Sequence, residues 1–409
     1  MATKPAFQSL GLLKTICDSV TSLGIATPTP VQTLAIPSLL QSKSHHLIAA
    51  QTGTGKTMAY LLPLLHRIKT REAEAGQRLT QPNSPRALII VPTRELSTQL
   101  ALILTAFKHT VRFKTFSIHS GVTPKVLNKE LNEGLDLLVG TPEHVRRCRD
   151  WGVLRLDCVE SVVFDESDTM VDAGMSGVLH EYVDKVRNAR FVFVGATHPK
   201  QLESALTAKF DFNPKGKLPY IKKIVAPNTH LNLSNIRHEL ISLTGYDKNP
   251  QFLTLLKSNQ YKIEKSGCIV FCNTIKSARS TDHLLNEQGY NAVSLHGEVP
   301  TEQRARNVER FRMGLAKILV CTDLGSRGLD FPEVELVLQY DFPSTISDYL
   351  HRVGRTGRGG RLGVAVSLYR RKDQEVVDQL QESFQSKRPL KVTNSAYSYK
   401  NKEDQSKQR

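Results

Sequence analysis

Near the start of the chain, Ala50-Gln51-Thr52-Gly53-Thr54-Gly55-Lys56-Thr57 sets glycines, hydroxyls and a lysine in one short run. Near its end, His351-Arg352-Val353-Gly354-Arg355-Thr356-Gly357-Arg358 sets arginines among glycines. A glycine-rich turn feeding a helix aims backbone N–H groups at phosphate oxygens, with Lys56 reaching the outer phosphates and the Thr57 hydroxyl reaching a magnesium ion. The second run offers guanidinium groups to the charge that builds up as a terminal phosphate is cut away. Between them, the apolar run Val162-Val163-Phe164 delivers Asp165-Glu166 at its tip. Asp165 suits a magnesium ligand, directly or through water, and Glu166 is placed to orient and deprotonate an attacking water. Either motif alone could serve another nucleotide enzyme. Both, in this order, predict an ATPase whose nucleotide is held between two domains.

The elements that must carry these residues are legible as short apolar runs ending in polar or small residues: Leu88-Ile89-Ile90-Val91, Leu137-Leu138-Val139, Val162 to Phe164, Phe191-Val192-Phe193-Val194, Ile269-Val270-Phe271 and Ile318-Leu319-Val320. Unbroken runs of this length suit strands covered on both faces. Segments with helical spacing, such as Glu95 to Phe107 and Thr301 to Phe311, lie between them. Strands alternating with helices imply parallel α/β sheets, whose ligands bind at the carboxyl ends of the strands. The pattern breaks around Asn213 to Asn235, which reads as a linker. The organisation expected is a first domain over 1–222, a linker over 223–235, a second domain over 236–380 and a disordered tail over 381–409. Residues 70 to 86 read as a surface loop.

At 409 residues the chain is long enough for two cores. Lys and Arg number 55 against 39 Asp and Glu, a formal net charge of +16, which favours a polyanionic partner, nucleic acid before others. From Lys387 onward, seven Lys or Arg face only Glu403 and Asp404, a tail suited to holding RNA nonspecifically. The six cysteines (17, 148, 158, 268, 272 and 321) form no CxxC pair, which predicts a reducing compartment and no zinc. No apolar stretch approaches the ~20 residues that span a bilayer, so a soluble chain without membrane contact is expected. Residues 1 to 17 carry Lys4, Lys14, several hydroxyls and no acid, a composition like that of an organellar presequence.

The ordered set decides the family. Gln32 preceded by Phe7 and Gly24, then Pro92-Thr93-Arg94-Glu95-Leu96, Thr141-Pro142, Asp165-Glu166-Ser167-Asp168, Thr322-Asp323, Arg327-Gly328-Leu329-Asp330 and the His351 to Arg358 run make the sequence resemble a DEAD-box ATP-dependent RNA helicase over residues 5 to 380. The resemblance implies two RecA-like α/β domains, each a mainly parallel sheet flanked by helices, with ATP and magnesium in the cleft between them. It implies that Phe7 and Gln32 read adenine, which claims the N-terminal segment for the fold. Gln51 to Thr57 would hold the phosphates and Asp330 the ribose. Pro92, Thr93, Arg94, Gly121, Thr141 and Thr322 would meet RNA backbone, reading little sequence. Arg355 and Arg358 match arginine fingers, worth roughly 10³ to 10⁵ in rate in related systems. His351 would link the nucleotide and RNA sites in a monomer that closes on ATP and RNA together.

Departures from the family pattern qualify this. The family's Ser-Ala-Thr, which couples hydrolysis to strand separation, is Gly195-Ala196-Thr197, so Asp168 lacks its hydroxyl partner unless Ser167 replaces it. Thr-Pro-Gly-Arg is Thr141-Pro142-Glu143-His144, an anion and a weak base near expected phosphates. Ser120-Gly121, Thr301 and Ile25 are milder changes. None touches Lys56, Asp165, Glu166, Arg355 or Arg358. Two functions follow: an RNA-stimulated ATPase that remodels duplexes or RNA–protein contacts, or an ATP-dependent RNA clamp that unwinds poorly. A DNA helicase is disfavoured by Gln32 and Asp165 to Asp168. Thr169 after Asp168 makes this stretch resemble members that assemble mitochondrial ribosomes, implying ribosomal partners in mitochondria, against nuclear or cytoplasmic RNA work.

Overall fold

The computed structural model describes residues 6–51, 53–119, 122, 124–195, 200–226, 235–245, 247–323, 334–357 and 361–386. The chain divides into two compact units, Met1–Thr229 and His230–Arg409. Each is built on one sheet, and every strand pairing within the two sheets is parallel.

The first sheet holds β1 (His45–Ala49), β2 (Ala87–Ile90), β3 (Thr115–Ile118), β4 (Leu137–Gly140), β5 (Ser161–Phe164), β6 (Arg190–Gly195) and β7 (Ile221–Val225), in the order β3-β4-β2-β5-β6-β1-β7. Its interior strands β2, β4, β5 and β6 are largely apolar without alternation because both faces are covered. Leu88, Ile90, Val162, Phe164, Phe191 and Phe193 enter one core. Ile89, Val139, Val163, Val192 and Val194 enter the other, where the N-terminal helices pack Ile16, Val20, Val31 and Ile36. The second sheet holds β8 (Ile236–Ser242), β9 (Cys268–Cys272), β10 (Ala292–Leu295), β11 (Ile318–Thr322), β12 (Leu336–Gln339) and β13 (Gly363–Tyr369), ordered β10-β11-β9-β12-β13-β8. Among the described residues no helix is long and apolar enough to cross a membrane. All six cysteines are free thiols.

Three boundaries differ from the sequence reading. Residues 223–225 are not linker: β7 pairs with β1, Lys222 opposite His46 and Ile224 opposite Ile48. β7 is an edge strand whose two faces are only partly covered, so its exposed Lys222 and Lys223 hid Ile221 and Ile224, which enter the two cores. Residues 70–75 are not loop, because the helix Lys56–Ala75 runs through them. Polar Glu72 and Arg86 suggested surface, yet they meet in the interior, Arg86 Nη1 3.3 Å from Glu72 Oε1 and 3.7 Å from the buried Asp136 carboxylate. Finally, the helix Gln374–Ser386 continues past residue 380. The basic tail from Lys387 lies outside the described residues.

Candidate functional site

On the first sheet, the candidate residues collect at the carboxyl ends of the strands. The phosphate loop follows β1, with Gly53 at φ 78° and Gly55 at φ 85°, backbone that favours glycine. At Gly55 there is also no room: a Cβ would lie 2.3 Å from Gln32 Nε2. Gln32 is buried, donates from Nε2 to the Gly55 carbonyl at 3.0 Å and accepts the Thr29 N–H on Oε1 at 3.0 Å. The amide thus caps its own helix, Pro30–Gln41, and fastens that helix to the loop. Phe7 is buried in the core with Ile16 and Val31. Lys56 opens the helix Lys56–Ala75 and lies back over the turn, its Nζ donating to the carbonyls of Ala50 (2.8 Å) and Gln51 (3.1 Å). Thr54 Oγ1 donates to the same Gln51 carbonyl at 2.7 Å, and Thr57 follows in the first turn of the helix.

Asp165 follows β5, two strands from β1 with β6 between them. Its Oδ1 accepts the Glu166 N–H at 2.9 Å, and its Oδ2 accepts the Tyr60 hydroxyl at 2.8 Å. Burial pushes the Asp165 carboxyl up, while the Tyr60 hydrogen bond and the Lys56 charge pull it back. Tyr60 is a site residue the sequence reading missed. Glu166 sits at φ 50°, a left-handed conformation unusual outside glycine, at the N-terminus of the helix Ser167–Asp172.

Asp168 is fully buried and accepts the Thr169 N–H on Oδ1 at 3.0 Å. It lies over Gly195, the last residue of β6, where a Cβ would meet Asp168 Cγ at 2.9 Å and its two oxygens at 3.0 and 3.1 Å. The carboxylate therefore takes the room that a side chain at 195 needs. Ser167 does not replace the missing hydroxyl, because its Oγ donates to the Val194 carbonyl at 3.0 Å.

The residues assigned to RNA occupy the other half of the same edge. Pro92 and Thr93 follow β2, and Thr93 caps the helix Arg94–Lys108 by accepting the Leu96 N–H at 3.3 Å. Thr141 follows β4 at the N-cap position of Pro142–Asp150 without a side-chain cap bond, its Oγ1 lying 2.8 Å from His144 Nδ1. Glu143 does not stand as a bare anion: it pairs with Arg146 at 2.8 Å and Arg147 at 3.1 Å.

In the second unit, Thr322 ends β11, His351 lies in the last turn of the helix Ile346–Val353, and Arg355 follows in the turn beyond it. Arg352 separates itself from this run. It is buried, donates to both Asp323 oxygens at 2.7 and 2.6 Å, to Asn273 Oδ1 at 2.6 Å and to the Asp341 carbonyl at 2.7 Å. It ties the ends of β9, β11 and β12 together, with its charge already met inside the unit. Thr52, Gly121, Thr197, Asp330 and Arg358 lie outside the described residues.

Residues 29–205 match the DEAD/DEAH box helicase family model, and residues 247–360 match the helicase conserved C-terminal domain. The chain is 36% identical over 372 residues to the ATP-dependent RNA helicase RhlB of Shewanella oneidensis, covering 88% of this chain and 80% of that protein. This chain belongs to the DEAD-box RNA helicase family. It is also 34% identical over 396 residues to DEAD-box ATP-dependent RNA helicase 39 of Arabidopsis thaliana, of whose length it spans 62%. Among solved structures it is similar to S. cerevisiae Dbp5 bound to RNA and ADP BeF3, with a TM-score of 0.79 at 25% identity over 98% of this chain and 99% of that one. Mss116p bound to ssRNA and AMP-PNP gives 0.77 at 25% identity, over 93% and 78%. The two parallel sheets are therefore the two RecA-like domains of a DEAD-box protein. Within that frame strand order divides one sheet edge: the runs expected to hold nucleotide follow β1 and β5, and those expected to meet RNA backbone follow β2 and β4.

Proposed function

We propose that the chain hydrolyses ATP in response to RNA and uses the cycle to part short duplexes or loosen RNA–protein contacts. The observation that carries this reading is the convergence on one sheet edge of the phosphate loop after β1 and Asp165-Glu166 after β5, about 10 Å apart by strand spacing, beside Thr93, Arg94 and Thr141. The Asp165 carboxylate and the Thr57 hydroxyl are hard oxygen donors, and the buried carboxylate is a charge that a divalent cation would meet, so these residues fit magnesium. Magnesium bound there would neutralise charge on the outer phosphate oxygens. Lys56 exchanges the carbonyls of Ala50 and Gln51 for a phosphate oxygen, and Gln32 carries nucleotide occupancy from its helix to Gly55. Glu166 accepts the proton of the attacking water, while Arg355 and Arg358 meet the charge that develops on the transferred phosphoryl group.

The clamp reading keeps one specific support, Gly195, which lies against the Asp168 carboxylate and itself supplies no hydroxyl to it. We place the biology in mitochondrial ribosome assembly, with ribosomal partners, on the resemblance of Asp165 to Met170 and the net charge of +16. Nuclear or cytoplasmic RNA work is the alternative. Crosslinking RNA to the protein in cells and sequencing it tests this: recovery of mainly non-mitochondrial RNA would overturn the placement.

Biochemically, Lys56→Ala is expected to weaken ATP binding, whereas Glu166→Gln retains binding, loses turnover and traps the protein on RNA. Normal hydrolysis by Glu166→Gln would remove its assigned role. A strand-displacement time course beside the ATPase assay separates remodelling enzyme from clamp.

A further inference from the structure

Among the described residues, four strand-to-helix corners place threonine at the N-cap position, and one of them is different. Thr93 accepts the Leu96 N–H at 3.3 Å, Thr274 the Ser277 N–H at 3.0 Å and Thr345 the Asp348 N–H at 3.0 Å, each satisfying an orphan donor of the first turn. Thr141 makes no such bond. Its hydroxyl is turned instead to the side chain three residues on, with Oγ1 2.8 Å from His144 Nδ1. A hydroxyl has one proton and two lone pairs, so what Thr141 can offer a ligand depends on which partner supplies the proton of this bond.

We propose that His144 is a positioning residue that sets the hydrogen-bonding sense of Thr141 toward an RNA backbone, and that this sense reverses when His144 gains a proton. This rests on the RNA-binding reading of Thr141 given above. With a neutral ring carrying its proton on Nε2, the more stable tautomer of the free histidine side chain, Thr141 donates to Nδ1. Only lone pairs then remain on its oxygen, which suits the O–H of a ribose 2′-hydroxyl, a donor that RNA has and DNA lacks. With a protonated ring, Nδ1–H donates to Thr141, whose own proton is released toward an acceptor. A phosphate oxygen is that acceptor in either nucleic acid, and a cation has been added beside it.

The surroundings supply the bias. The groups facing His144 are Arg147 and Glu143 on its own helix, His119 at the end of β3 and Arg94 at the start of the helix after β2. Burial, then the charges of Arg147, His119 and Arg94, hold the ring below the ordinary histidine range, with Glu143 opposing. Glu143 is already paired with Arg146 and Arg147, so the neutral ring is the resting form at pH 7. The corner is thus set to prefer ribose at neutral pH and to lose that preference in acid.

The test measures binding of one single strand, as RNA and as the same sequence in DNA, by the full chain with AMP-PNP and magnesium at pH 8 and pH 5.5. His119 also faces this corner, so His144 variants rather than pH alone assign the effect. Wild type is expected to lose about threefold to tenfold of its RNA-over-DNA preference at the lower pH, the scale of one hydrogen bond. His144→Arg, a permanent cation, should show the reduced preference at both pH values. His144→Leu should show no pH response, with thermal melting recorded alongside to confirm folding. A preference in His144→Arg equal to that of wild type at pH 8 overturns the proposal. So does a pH response that persists in both variants. If wild type binds neither strand at either pH, the RNA reading itself falls.

Discussion

Tyr60 shows at the scale of one residue what spacing reveals and what it hides. Lys56, Asp165 and Glu166 were legible because their chemistry requires fixed neighbours in sequence. Tyr60 sits in the apolar stretch Ala59 to Leu65, where an aromatic reads as core, and only the fold brings its hydroxyl 2.8 Å from Asp165 across 105 residues. The structural part of Arg352 was hidden for the converse reason, since a run of arginines does not say which of them is buried in ion pairs. Removing the Tyr60 hydroxyl leaves Asp165 short of a charge-assisted bond worth about 1.5 to 3 kcal/mol, so Tyr60→Phe should raise the magnesium needed for half-maximal ATPase about tenfold. Magnesium-free nucleotide binding should stay the same. An unchanged magnesium titration would make the bond incidental. Gly195 carries a second test. The free volume above it is filled by Asp168, so Gly195→Ala must push that carboxylate aside and should cost about 1 to 3 kcal/mol in the unfolding transition of the first domain. Gly195→Ser meets the same crowding but adds a donor to the displaced carboxylate, and should recover part of that loss and improve strand separation more than hydrolysis. Equal stability of all three proteins would show that Asp168 yields freely and that Gly195 is neutral.

At the scale of elements, the interior strands made of unbroken apolar runs announced themselves, whereas the edges and the interior strands β1, β12 and β13 did not. β2, β4, β5 and β6 are continuous apolar runs inside the first sheet, whereas β3 is half-exposed and β7 carries two lysines. The strand order, which puts nucleotide and RNA motifs in separate halves, is a long-range property that no local pattern encodes. β1 was missed because His45 and His46 open it, and burial makes that pair a pH liability. His45 Nδ1 accepts the Phe191 N–H at 3.0 Å and His46 Nε2 lies 3.1 Å from Ser38 Oγ. Burial, then the Arg190 charge, pulls His45 down to about 4 and His46 to about 3. Both are neutral in the fold and take up protons on unfolding below the ordinary value near 6.5, so the stability they allow is full above about pH 6.5 and declines as pH falls toward 4. At pH 4.5, His46 alone should account for about 2 to 3 kcal/mol of that decline. Denaturant unfolding of wild type and His46→Gln at pH 7.5 and 4.5 measures it. The variant should lose distinctly less stability on acidification, and parallel losses would acquit His46.

For the whole molecule, the two domains are joined by the ten residues 226–235 between β7 and β8, a tether that reaches about 33 to 36 Å when fully extended. A connection of that length would keep each domain at high effective concentration near the other, and docking that ligands decide belongs to the function proposed above. The proposed cycle uses this freedom: nucleotide on the first domain and a strand of RNA that both domains hold make docking favourable, and the excess of positive charge adds salt-sensitive affinity for the strand. Arg355 belongs to the second domain, so it can act on a phosphate held by the first only in the docked state. Its charge is needed as the phosphoryl group departs, not when ATP binds. Arg355→Ala should therefore lower RNA-stimulated hydrolysis by roughly 10²-fold or more with nucleotide affinity nearly unchanged. Fluorophores at the exposed positions Trp151 and Tyr261, one on each domain, report docking directly. Energy transfer should rise when RNA and AMP-PNP are present together, not with either alone, and the rise should survive in Arg355→Ala. Hydrolysis within a few-fold of wild type would exclude Arg355 from the transition state, and loss of the energy-transfer rise in the variant would move its role from chemistry to docking.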